Sequence, residues 1–198
     1  MSPQLSTGNF EQAISAFDSY HEKDPNTELY EGKILPKERI YASHMSNRLK
    51  QFAPDADESV KLAARCQHIG RWEIPRDKYP MDRKGYLQWR NEAKVHHARI
   101  AEKLLLECGY GAGTIEEVKA LILKKGLHSN PNAQLLEDVA CLVFLEHYLT
   151  EFSAKHEDEK VIDILKKTVK KMSDKAKNAV DEITFTLKIK SMIKKALE

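Results

Sequence analysis

The run LLEDVACLVFL (135–145) settles the fold class. Its apolar side chains cover almost every direction of a helical wheel, which marks a helix enclosed by other helices rather than one lying on a surface. Pro131 suits the first helical position and opens this element, which we read as the buried axis of the fold. Working outward, Asn9 precedes FEQAISAFDSYHE (10–22), where Phe10, Ala13, Ile14 and Phe17 recur at helical spacing and Asp24-Pro25-Asn26 closes the run as a turn. Pro36 opens KERIYASHMSNRLKQF (37–52), with Ile40, Tyr41, Met45, Leu49 and Phe52 on one face. A third helix is predicted from Glu58, with Leu62, Ala63, Cys66 and Ile69 as its stripe, ending near Gly70.

Then comes RWEIPRDKYPMDRKGYLQW (71–89), rich in aromatics, prolines and arginine and without a sustained period; it reads as an ordered connection. A long helix is expected from Arg90 to Cys108, stopped by Gly109. Thr114 and Glu117 fit a capping box for a short helix to Lys125. The segment VIDILKKTVKKM (161–172) is amphipathic, and Ser173-Asp174 can cap a last helix. Residues 183–189 alternate with a strand-like period but have no pairing partner in the chain, so they are assigned to helix. The expectation is an all-α helical bundle of about seven to eight helices. It is expected to form one domain over 1–198, with C-terminal helices 157–198 packed on or extending from a core at 9–154.

Composition narrows the function classes. The chain has 198 residues with 32 basic against 30 acidic side chains, a net charge of +2. Nucleic acid is therefore a possible partner that global charge does not indicate. No window approaches the roughly 18 apolar residues of a membrane span, and the N-terminus lacks a signal-peptide pattern, so a cytoplasmic protein without membrane partners is expected. Cys66, Cys108 and Cys141 lie in apolar helical patterns without a CxxC pair and read as buried free thiols.

Chemistry-bearing residues concentrate between 67 and 90. Six of the eight arginines lie between Arg65 and Arg99, less than a fifth of the chain, and every basic residue after Arg99 other than histidine is lysine. A guanidinium fork binds phosphate or carboxylate through two parallel hydrogen bonds, so Arg71, Arg76, Arg83 and Arg90, with Trp72 to stack, form a candidate anion-binding wall. The bland alternative is that these arginines pin the loop through Glu73, Asp77, Asp82 and Glu92. His97 falls on the apolar side of its helix with Ala93, Ile100 and Leu104 and is expected to point inward. Asp138 sits among Leu135, Val139 and Leu142, where an isolated carboxylate is costly; it should meet arginine, histidine or a metal ion. His21, His96, His128, His147 and His156 have no distinguishing spacing and are treated as structural or exposed.

Four stretches, AARCQHIGRWEIPR (63–76), YPMDRKGYLQWR (79–90), LEDVACLVFLEHY (136–148) and KHEDEKVIDILKKTVKKMS (155–173), resemble a bacterial and fungal family catalogued as domain of unknown function 4202. That likeness covers nearly the whole chain and implies no particular reaction. HARIAEKLLLECGY (97–110), AARCQHIG (63–70) and LLEDVACL (135–142) also resemble helices of the HD metal-dependent phosphohydrolases. The resemblance implies an HD-like fold, a divalent metal (manganese, iron or zinc) on His44, His68, His97 and Asp138, and a small phosphorylated or nucleotide-like ligand. Gln67, His68 and Asp138 would then be the catalytic positions. Gln67-His68 replaces that superfamily's His-Asp pair, which removes a metal-ligating carboxylate and leaves a non-catalytic anion or nucleic-acid binding module on the Arg-rich 65–99 region as the alternative. Fragments His68-Ile69-Gly70 and Lys171-Met172-Ser173 resemble class I aminoacyl-tRNA synthetase signatures, but no βαβ pattern accompanies them.

Overall fold

The structure, a computed structural model, describes residues 9–127 and 129–197. Among the described residues the fold is all-α apart from one hairpin, and the chain divides into two compact units, 1–126 and 127–198. His128 lies outside the described residues. Among them no helix is long and apolar enough to cross a membrane.

The first unit begins with α1 (Phe10–His21), where the Asn9 side chain accepts from the Gln12 amide, and continues through an antiparallel hairpin, β1 (Thr27–Tyr30) and β2 (Lys33–Pro36). Its two-residue turn, Glu31-Gly32, has both residues at positive φ, 49° and 78°, the geometry that tight hairpin turns require. The hairpin leads into α2 (Lys37–Phe52), α3 (Glu58–Cys66), two short 3₁₀ turns at Arg71–Glu73 and Arg76–Lys78, α4 (Arg83–Glu107) and α5 (Ala112–Ile122). The helices pack as α1 on α2, α3 and α4, α3 on α2 and α5, and α4 on α5. Phe17, Ile40, Met45, Leu49, Leu62, Ile69, Leu105 and Leu121 fill that core.

Two local expectations are corrected. The long helix starts at Arg83, not Arg90, because the Asp82 side chain accepts from the Gly85 amide at 2.7 Å and caps it. Gly85, a breaker by sequence, is inside the helix for a steric reason: a Cβ there would stand 2.1 Å from the Pro80 carbonyl oxygen. The Thr114–Glu117 capping box does not form, since α5 already begins at Ala112 with Gly111 at its N-cap. All three cysteines are free and buried, as the sequence predicts.

The second unit contains α6 (Pro131–Val143), a π-helical segment (Phe144–Tyr148), α7 (Leu149–Ala154), α8 (Asp158–Val169), α9 (Asp174–Ala179) and α10 (Leu187–Leu197). The run at 135–145 is its core: Leu136, Val139, Leu142, Val143 and Leu145 are all buried. Ser173 caps α9 as expected, and helix resumes only at Leu187, so residues 183–186 are not helical.

Alanine normally gains about 1 kcal/mol over glycine inside a helix. Gly85→Ala should instead lose roughly 1–3 kcal/mol, the cost of forcing a group into occupied space. Urea unfolding measures this, and an alanine variant as stable as wild type would contradict the close approach of Pro80.

Candidate functional site: a desolvated polar centre in the first unit

The turn that ends α3 builds the site. Gly70 is left-handed at φ 72°, and a Cβ on it would meet Ile100 Cδ1 at 2.4 Å, so only glycine lets the chain turn this close to α4. The turn leaves the Ile69 carbonyl to be satisfied by His97, whose Nδ1–H donates to it at 2.6 Å. Because a carbonyl only accepts, this bond fixes the neutral tautomer with Nε2 bare. Burial, helped by the nearby His68 and Arg71, drives the His97 pKa down to about 2.

Gln67 and His68 leave the same turn toward α2. Gln67 Nε2 donates to the Tyr41 hydroxyl, and the His68 ring stacks on Tyr41 with centroids 4.3 Å apart and planes 13° from parallel. His68 and His97 have ring centroids 5.9 Å apart. Desolvation first, then the charge of Arg71, holds His68 neutral, well below the usual histidine range. Arg71 lies over the Trp89 ring, 5.0 Å from its centroid, with Nη1 3.4 Å from His68 Nδ1. Its side chain keeps 39% of its surface exposed.

Sequence reasoning missed Glu38, in the first turn of α2. Its Oε1 stands 3.6 Å from Arg71 Nε and its Oε2 3.6 Å from His68 Nδ1, with only 15% of the side chain exposed. Oε2 is buried and accepts no hydrogen bond among the described residues. Burial outweighs the pull of Arg71 and raises the Glu38 pKa to about 7. An acidic residue in a first turn ordinarily reads as a complement to the helix dipole, so no sequence signal set it apart. His21, expected to be structural or exposed, is buried; its Nε2–H donates to the Arg65 carbonyl at 3.1 Å, and burial lowers its pKa. His96 bonds Glu73 at 2.8 Å, and Glu73 also accepts from the Tyr20 hydroxyl at 2.7 Å.

The arginine wall is only partly realised. Arg65 forks onto Asp18 at 2.7 and 2.9 Å, and Arg76 donates to the carbonyls of Tyr79, Pro80 and Asp82, so it pins the loop through backbone rather than through acidic side chains. Trp72 packs on Tyr20. Arg83 is exposed; Arg90 is half-buried and near enough to depress His68. Asp138, in the second unit, is 3% exposed as expected, and its side-chain and backbone partners are neither arginine nor histidine. It accepts from the Ser173 amide at 2.8 Å, the Ser173 hydroxyl at 2.5 Å and Gln134 at 2.9 Å, donors neutral enough to sit in a core and strong enough to hold a carboxylate. His44 is buried on α2, edge-on to Tyr30. Among the described residues no three His, Cys, Asp or Glu side chains are gathered as a metal cage. Two cavities of the first unit, of about 430 and about 470 Å³, open elsewhere.

The chain matches the family described as Domain of unknown function (DUF4202) over residues 11–193, and it belongs to that family. No curated protein and no solved structure matches it.

The titrations oppose one another. His97, whose pKa is lowered from 6.5 to about 2, contributes stability that is full above pH 6.5 and lost as pH falls below it; His68 and His21 act in the same direction. Glu38, raised from 4.5 to about 7, contributes stability that is full below 4.5 and lost between 4.5 and about 7. The three imidazoles outnumber the carboxyl, so stability should fall from pH 6.5 to 5. His97, neutral throughout this range, contributes about 1.4 kcal/mol per pH unit. His97→Asn should flatten that slope by about one such increment in urea unfolding at pH 7, 6 and 5, whatever its effect on stability at pH 7. An unchanged slope would contradict the buried neutral imidazole.

Proposed function

We propose that this protein binds a small phosphorylated or nucleotide-like anion at Arg71 and the Tyr41–His68 stack, with Glu38 exchanging a proton with the ligand or with water attacking it. One observation carries the reading: a half-exposed guanidinium, braced over Trp89, stands against a carboxyl whose proton affinity is raised into the neutral range. Such a carboxyl can accept and return a proton near neutral pH, where an ordinary glutamate stays ionised. When Glu38 is protonated, the positive charge of Arg71 is no longer cancelled and is available to an anion. Tyr41 and His68 offer flat faces for a base or another ring. The commitment of Arg65 to Asp18 and of Arg76 to loop carbonyls favours a compact anion over an extended nucleic-acid strand, which needs a track of free cations.

A metal-dependent phosphohydrolase is the second reading. The bond from His97 Nδ1 to the Ile69 carbonyl is the arrangement by which metal-bound histidines are commonly oriented, and it leaves Nε2 as a possible ligand for manganese, iron or zinc. His68 would be the companion imidazole. Among the described residues His44 does not join them in a gathered set, Asp138 belongs to the second unit, and no step is assigned to a metal.

Calorimetric titration with inorganic phosphate and with adenosine monophosphate, before and after adding manganese, iron or zinc, tests both readings. Saturable binding without metal, weakened at least tenfold by Arg71→Met, is expected. Binding that requires metal and vanishes in His97→Ala would replace the first reading with the second. No binding under either condition, with the helical circular dichroism intact, would remove both.

A further inference from the structure

The polar centre makes no use of the cavity of about 430 Å³ lined by α1, α2 and α3. Phe10 and Ile14 of α1, Leu49 of α2 and Pro54 give it apolar walls. Lys50 and Lys61 also line it, and among the described residues neither has an ion-pair partner. Arg65 reaches the cavity too, but its guanidinium is neutralised by the fork onto Asp18. Glu11 is the acidic member of the lining. The charge left uncompensated is therefore positive, and it is carried by ammonium groups.

We propose that this cavity is a second ligand site that takes an amphipathic monocarboxylate. An alkyl or arylalkyl body would lie against Phe10, Ile14, Leu49 and Pro54, with its carboxylate between Lys50 and Lys61. The volume falls within the ~300–1,000 Å³ typical of small-molecule sites. The apolar walls offer ordered water few of the two to four polar partners it needs, so an apolar body is favoured there over solvent. Lysines present compact charges without the planar fork that selects phosphate, and Glu11 beside them repels a doubly charged head, so a single carboxylate suits the rim.

Calorimetric titration of the full chain with hexanoate, octanoate and decanoate tests the site. Each added methylene should tighten binding about fourfold until the cavity is full. Octan-1-ol, which keeps the body and lacks the charge, should bind at least tenfold more weakly than octanoate. Lys50→Glu and Lys61→Glu should each weaken octanoate at least fivefold and leave octan-1-ol unchanged. Ile14→Trp, which fills the cavity, should abolish binding of both; if it lowers the thermal transition, the exposed Lys50→Glu variant still decides the matter. Equal affinity for octanoate and octan-1-ol would overturn the proposal, as would the absence of saturable binding. A sedimentation coefficient that rises with protein concentration and does not fall on adding saturating octanoate would overturn it in favour of a second copy as the occupant.

Discussion

The hydrogen bond from His97 to the Ile69 carbonyl is the constraint on which the first unit's polar centre depends. A helix that ends inside a protein leaves carbonyls that something must satisfy. Here the acceptor is met by an imidazole from α4, and the left-handed Gly70 lets the turn lie close enough for that to happen. The same turn sends Gln67 and His68 toward Tyr41 and carries Arg71 to the face of Trp89. Loss of the bond would leave a buried carbonyl and a buried imidazole unpaired together, a penalty of about 1–3 kcal/mol for each group.

Desolvation rather than charge pairing sets the electrostatics around that turn. Arg71 lies close enough to Glu38 to favour the carboxylate, yet burial wins and the carboxyl rises from 4.5 to about 7. That net shift corresponds to about 3 kcal/mol in favour of the protonated form. The same burial keeps His68, His97 and His21 neutral beside a fixed guanidinium. A centre so arranged holds few mobile charges, so one proton on Glu38 changes how strongly Arg71 attracts an anion.

Periodicity made most helices legible, because burial along a single helix is a local property. The apolar stripes of α1, α2, α3, α6 and α8 lie close to where the residue spacing places them. Errors arose where a distant partner overrides a local signal. Gly85 and Pro80 look like breakers until their mutual contact is seen, and the start of α4 was misplaced for that reason. The hairpin at 27–36 has strands of only four residues, too short for a clear alternation. At the site, the inward direction of His97 and the burial of Asp138 followed from helical phase. Their partners did not: Ser173 lies 35 residues from Asp138, and the Ile69 carbonyl 28 from His97. Glu38 carried no pattern at all, since its character comes from the side chains of Arg71 and His68 closing over it.

The state of the Glu38 carboxyl bears on the central claim most directly. A pH titration followed by carbon-13 NMR of that side chain, assigned by comparison with Glu38→Gln, should show a midpoint near 7 that moves when inorganic phosphate is added. A midpoint near 4.5, unaffected by phosphate, would mean that the carboxyl is solvated and that no desolvated anion-binding centre exists at Arg71.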